Sequence, residues 1–171
     1  MAVREILLLG NPILSSRSDP VVLAETGTLR QVVTDLQDTL MHFRARYGAG
    51  RAIAAPQIGI LKRLVYMHID SPTVLINPRL EDLSTEMFEL WDDCMSFPDL
   101  LVRVRRHRTC RIVYRDLDWN EQTLRLEDTL SELLQHECDH LDGVLAIERA
   151  IDRRSLAYRS QRALLTCVDP R

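Results

Sequence analysis

The sequence predicts an α+β fold, on three observations. A stripe of apolar residues with helical spacing runs from Leu29 to Arg46, and a second begins near Asp128. Between them lie short strand-like runs separated by turn residues. Strands grouped between helices, without βαβ alternation, give mixed or antiparallel short-stranded sheets. With 171 residues the chain suits one domain with a sizeable core better than two. Residues 1–171 are therefore read as a single domain, with no internal repeat, low-complexity tract or linker.

Each element has its own signal. In the first helix Leu29, Val32, Val33, Leu36, Leu40 and Phe43 form the apolar stripe, and "YGAG" ends it. "GRAIAAPQIG" (50–59) follows, small and turn-prone. "KRLVYMHI" and "TVLINP" read as strands broken by "DSP", and "TEMFELWDDC" as a strand running into a loop. "LVRVRRHRTCRIVYRDLDWNEQTLRLE" predicts two or three antiparallel strands, with "DWNE" as a turn. The second long helix starts near Asp128 or Thr129 and turns Leu130, Leu133, Leu134 and Leu141 inward. Thr129 and Glu132 have capping-box spacing, Asp128 is an equally good cap, and Gly143 stands where a helix stops. A last basic helix is expected from about Arg153 to Leu165.

Composition excludes several function classes. The chain is 46% hydrophobic and 27% charged, ordinary for a globular protein, and its net charge of −3 offers no footprint for nucleic acid or an anionic membrane. The basic runs at 103–115 and 153–162 read as solvated faces, and the basic hairpin lacks the interleaved aromatics that stack bases. "MAVREILLLGNP" has too short an apolar run for a signal peptide or membrane span. Cys94, Cys110, Cys138 and Cys167 form no CxxC pair and imply no disulfide compartment, so a cytoplasmic location is expected.

Chemistry concentrates in "LQHECDHLDG" (134–143). On a helix, His136 and His140 share one face, where two imidazoles can hold one ion with Glu137 beside it as acid/base. Asp139 reads equally as a carboxylate supporting a ligand or a loop and as a solvent-facing acid. Cys94, in "WDDCMSFP", is either a third ligand or a small buried residue. As a ligand it completes a Cys-His-His set with a fourth position open, a catalytic arrangement. Cys110 and Cys167 read as core or surface cysteines, and Cys138 should point away from the histidines. In the small-residue loop, Gln57 is a candidate donor to an oxyanion; no phosphate-loop motif is present.

Three segments in this order resemble the peptide deformylase family, whose signatures are GxGxAAxQ, EGCLS and HExDH. Here they stand as "GRAIAAPQ" (50–57), "DDCMS" (92–96) and "HECDH" (136–140). "REILLLGNPIL", the helix after Leu29, "INP" at 76–78 and "HLDGVLAIER" also look like the family, so the resemblance spans nearly the whole chain. It implies short-stranded sheets packed around a central helix that carries the HExxH residues. It also implies that Cys94, His136 and His140 hold one divalent metal, iron(II) in cells with zinc, nickel or cobalt accepted. Glu137 would be the acid/base, and Gln57 with the backbone N–H of Met95 would steady the oxyanion. Gly50, Ala52, Ile53 and Asp93 would meet the substrate, an N-formylmethionyl nascent peptide from which formate is released. The basic segment near 153–162 would fit the ribosome near its exit tunnel; no membrane and no specific nucleic acid is implied.

The sequence departs from the family pattern at four places. Ala52 and Asp93 stand where glycines are expected, Asp92 where a glutamate is, and Met95 where a leucine is. The ligands and Glu137 are untouched. Two rival readings follow: an amidase for other N-acyl compounds, and a weakly active homologue that binds ribosomes or peptides.

Overall fold

The computed structural model describes residues 3–165; Cys167 lies outside them. Helix α1 (Thr26–Tyr47) is followed by strands β1 (Ala52–Ala54), β2 (Leu64–His68), β3 (Pro72–Glu81), β4 (Met87–Asp93), β5 (Leu100–His107), β6 (Thr109–Arg115) and β7 (Glu121–Glu127). Helix α2 (Asp128–Leu141) and a short strand β8 (Leu156–Tyr158) complete the order. A five-stranded sheet runs β1-β2-β3-β6-β7 and a three-stranded one β4-β5-β8, with every neighbouring pair antiparallel. The α+β expectation stands.

Alternation along the first strands sorts side chains between the two helices. Ala52, Ala54, Val65, Met67 and Leu75 face α2 and pack with Leu133, Leu134 and Leu141. Ile53, Leu64, Tyr66 and Ile76 face the other way, onto Leu29, Val33, Leu36 and Leu40 of α1. The helical stripe read from the sequence is thus the buried one, with Val32 and Phe43 at its margin. Gly48 ends α1 with φ 67, and its N–H donates to Arg44 O. The Arg44 guanidinium then donates to the carbonyls of Gly50 and His68, which ties the small-residue loop to the helix. A third, smaller core joins Cys94, Phe97, Val102, Val104 and Ala146.

"INP" has a structural task. Asn77 has φ 51 between the two registers of the β3–β6 pair, and its amide bonds both the N–H and the carbonyl of Val21.

Two terminal details differ from the sequence reading. The N-cap of α2 is Glu127, whose side chain makes no capping bond. The expected Thr129–Glu132 capping box is not built, because Glu132 pairs with Arg51, and Asp128 pairs with Arg108. Instead of a final helix over 153–165, the chain forms β8 along β5 and a 3-10 run, Arg159–Leu164. That segment has no apolar stripe to bury, with Leu164 80% exposed, whereas the edge of β5 supplies backbone partners. No described helix is long and apolar enough to cross a membrane.

The end of α2 is pressed against the N-terminal segment. Gly143 has φ 73, and a Cβ there would lie 2.8 Å from both C and O of Ser15. Gly48 also has positive φ, yet a Cβ on it would meet nothing within 4 Å. Gly48→Ala should therefore lose only the left-handed penalty, about 1–2 kcal/mol. Gly143→Ala should lose that and roughly 1–3 kcal/mol more for the clash. Urea unfolding of the two variants checks this, and equal losses would refute the steric account.

Candidate active site

α2 is buried along most of its length, so its polar residues are interior groups. His136 and His140 lie four residues apart on one face, 6% and 1% exposed, with their Nε2 atoms 3.2 Å apart. The loop after β4 brings Cys94 to them, with Sγ 3.3 Å from His140 Nε2. These three ligand atoms all lie within 4.8 Å of one another. Tetrahedral Cys/His coordination, with bonds of about 2.0–2.3 Å, requires ligand separations of this size. Cys94, His136 and His140 form one site for a divalent metal.

What surrounds the ligands fits that use. His136 Nδ1 is 2.9 Å from Asp92 Oδ2, which leaves Nε2 turned toward the ligand cluster. Arg106 bridges Asp92 at 3.2 Å and Asp139 at 2.5 Å, and Arg149 reaches Asp139 from the surface at 2.8 Å. Burial opposes charge on both imidazoles. For His136 the neighbouring Asp92 and Cys94 outweigh it and favour the protonated ring; for His140, burial and the neighbouring His136 keep the ring neutral. A metal must therefore displace a proton on binding. Glu137 is 3% exposed, and burial raises its pKa to about 7. Its Oε2 has no hydrogen-bond partner among the described residues, so an acceptor is held ready beside the ligands.

The other sequence candidates are placed as follows. Gln57 sits in the 3-10 turn Ala55–Ile58, its Oε1 accepting from Ala54 N–H at 2.9 Å. That fixes its amide so that Nε2 lies 3.6 Å from Cys94 Sγ and 3.2 Å from Ser96 Oγ. Gly50, Ala52, Asp93 and Met95 line the same cleft as His136 and Glu137. Gly50 has φ 122, whereas Ala52 and Asp93 do not have positive φ; neither departure strains the backbone. Asp93 instead forms an ion pair with Arg159 at 2.6 Å. Cys138 points into the core under α2, where burial pushes its thiol up.

Of its two readings Asp139 takes the supporting one: it holds Arg106, which also pairs with Asp92 beside His136, and it holds Arg149. Two expectations need correction. Ile53 does not line the cleft: strand alternation turns it toward α1, where it is fully buried. Arg106, read within a solvated basic run, is 4% exposed. Its isolation from water is invisible in sequence, because its two carboxylate partners come from other elements. Arg51 and Glu132 also line the cleft, a placement hidden in the sequence for the same reason, where Glu132 reads only as a capping residue.

The ligand support generates a specific expectation. Asp92→Ala should lower metal affinity by about 10–100-fold, as measured by competition with a chelator. Asp93→Ala should leave it unchanged, because among the described residues the Asp93 carboxylate pairs with Arg159 and with no metal ligand. Equal losses would mean that Asp92 does not act through His136.

Comparison with known proteins agrees with this geometry. The family model described as polypeptide deformylase matches residues 3–155. Peptide deformylase 1 of Prochlorococcus marinus is 38% identical over 177 aligned residues, covering 94% of this chain and 88% of that protein. A peptide deformylase-like protein of Brucella melitensis is 38% identical over 152, covering 87% and 89%. Among solved structures, the peptide deformylase of Thermotoga maritima superposes with a TM-score of 0.82 at 29% identity, covering 89% of this chain and all of that one. That of Synechococcus elongatus, solved with actinonin, gives 0.80 at 30%, covering 89% and 81%. With a metal site built from its own cysteine and two histidines, the chain belongs to the peptide deformylase family.

Proposed function

We propose that this chain, acting as one domain over residues 1–171, removes the N-formyl group from the initiator methionine of nascent polypeptides and releases formate. The observation that carries the reading is the unpaired Oε2 of Glu137 in the cleft of the Cys94-His136-His140 site. When bound, a divalent ion supplies Lewis acidity at the formyl group and its attacking water. Iron(II) is the proposed ion in cells; zinc, nickel and cobalt suit the same nitrogen and sulfur donors.

Glu137 takes a proton from the water as its oxygen attacks the formyl carbon. The same carboxyl then delivers that proton to the departing amine as the C–N bond breaks. A carboxyl raised to about 7 is suited to both directions of transfer near neutral pH. Gln57 Nε2 and the backbone N–H of Met95 are the proposed donors to the developing oxyanion. Supporting this, the Gln57 amide is held by its own loop, and Met95 N–H has no acceptor among the described residues. Gly50, Ala52 and Asp93 are the proposed substrate contacts, on the ground that they line the cleft. The proposed setting is the cytoplasm, with the basic stretch at 153–162 facing the ribosome near the exit tunnel.

The test is formate release from formyl-Met-Ala-Ser by protein purified and loaded anaerobically with iron(II). Glu137→Ala should keep its metal yet lose about 10²–10⁴ in rate. Chelation of the wild type should abolish release, and adding the ion back should restore it. A fully loaded wild type that frees no formate would sink the proposal.

A further inference from the structure

The wall of the cleft carries a charged pair that deformylation does not by itself require. Glu132 lies four residues before His136 on α2, on the same face and one turn away. It is 5% exposed, and its Oε2 accepts from Arg51 Nη2 at 3.1 Å. Arg51, just ahead of β1, also donates to Thr129 O at 3.1 Å, and its side chain is 42% exposed. Both residues line the same cleft as His136 and Glu137. Glu132 Oε1 has no partner among the described residues, and it is not among the atoms sealed from solvent. A nearly buried carboxylate thus turns one free acceptor into the cleft, under a guanidinium that reaches the surface.

Reach decides which part of a substrate meets this pair. Side chains one helical turn apart are separated by about 5–6 Å at Cβ. With a formyl carbon at the ligand cluster, the first residue's side chain is the part of the substrate that branches off beside this pair; the main chain advances about 3.3–3.6 Å per residue and carries later residues further away. Glu132 and Leu133 are buried, so the cleft is closed beneath them, while Ala49, Asp93 and Asp99 stand exposed among its lining and give the continuing main chain its way out.

We infer that Arg51 and Glu132 form the floor of the first-residue pocket and make this chain accept N-formyl substrates whose first side chain carries a hydrogen-bond donor, at least as well as formyl-methionyl ones. The inference rests on the reading of the cleft as a deformylase site. A thioether has no donor, so methionine would cover Glu132 Oε1 and leave it dry and unpaired. A carboxamide such as that of glutamine donates to Oε1 and accepts from Arg51. Sites built around hydrogen bonds reject analogues that lack them more steeply than apolar pockets reject a change of one methylene.

The experiment compares kcat/KM for formate release from formyl-Gln-Ala-Ser and formyl-Met-Ala-Ser with iron-loaded protein. The wild type is measured beside an Arg51→Leu/Glu132→Leu double variant, which leaves no lone charge behind. The wild type should use the glutamine peptide at least as well, and the double variant should shift the ratio toward methionine by about tenfold or more. A wild type that clearly favours methionine, or a folded double variant with an unchanged ratio, overturns the inference and leaves the deformylase reading intact. Absence of formate from both peptides at full metal loading overturns that reading, and the inference with it. Should the double variant not fold, the wild-type ratio alone decides.

Discussion

Everything at the site depends on keeping two imidazoles, a thiol and a carboxylate together away from water. The protein does this with a relay of opposite charges: His136 on Asp92, Asp92 on Arg106, Arg106 on Asp139, and Asp139 on Arg149. Only the last member stands substantially in solvent, with its side chain 51% exposed. Each buried charge is paired with the next, which is the condition under which such groups are tolerated in an interior. The relay also joins separate pieces of chain, β4, β5, α2 and the turn at 146–149, so the orientation of His136 is set by the whole small sheet and not by α2 alone.

The two remaining pieces of the site are held by backbone. Leu7 N–H donates to Gln57 O and Leu9 N–H to Ser96 O, both at 2.8 Å, so one N-terminal segment stitches the small-residue loop to the cysteine loop. Strand alternation does the rest. Small residues at 52 and 54 let α2 lie close over β1, while the bulk of Ile53 is spent on the opposite side, under α1. Across the stitched loops Gln57 Nε2 lies 3.6 Å from Cys94 Sγ.

Legibility in the sequence followed physical range. Both helices were visible because Leu29, Val33, Leu36 and Leu40, and likewise Leu133, Leu134 and Leu141, repeat with the period of the surface they bury. The ligand pair was visible because four residues is one turn, and Cys94 became a ligand only through a family resemblance, which the comparisons bear out. What could not be read is pairing across elements. Arg106 looks like any other member of a basic run until Asp92 and Asp139 are placed against it. Glu132 looked like a capping residue, and its real partner, Arg51, is 81 positions away. The tail after residue 153 carries charges without a periodic stripe, so nothing in it marks the edge strand that its backbone forms along β5.

That edge strand has a consequence for the life history of the molecule. β8 is the last strand described, and it extends the sheet whose β4 leads directly to Cys94. From its end, Arg159 crosses back to Asp93 and to Pro98 O, bracketing the cysteine loop on both sides. A chain made from its N-terminus has all three ligands before it has this clasp. The rim of the cleft is thus completed by a segment that follows all three ligands in the chain, while the N-terminal segment, made first, already holds the same loop at Ser96.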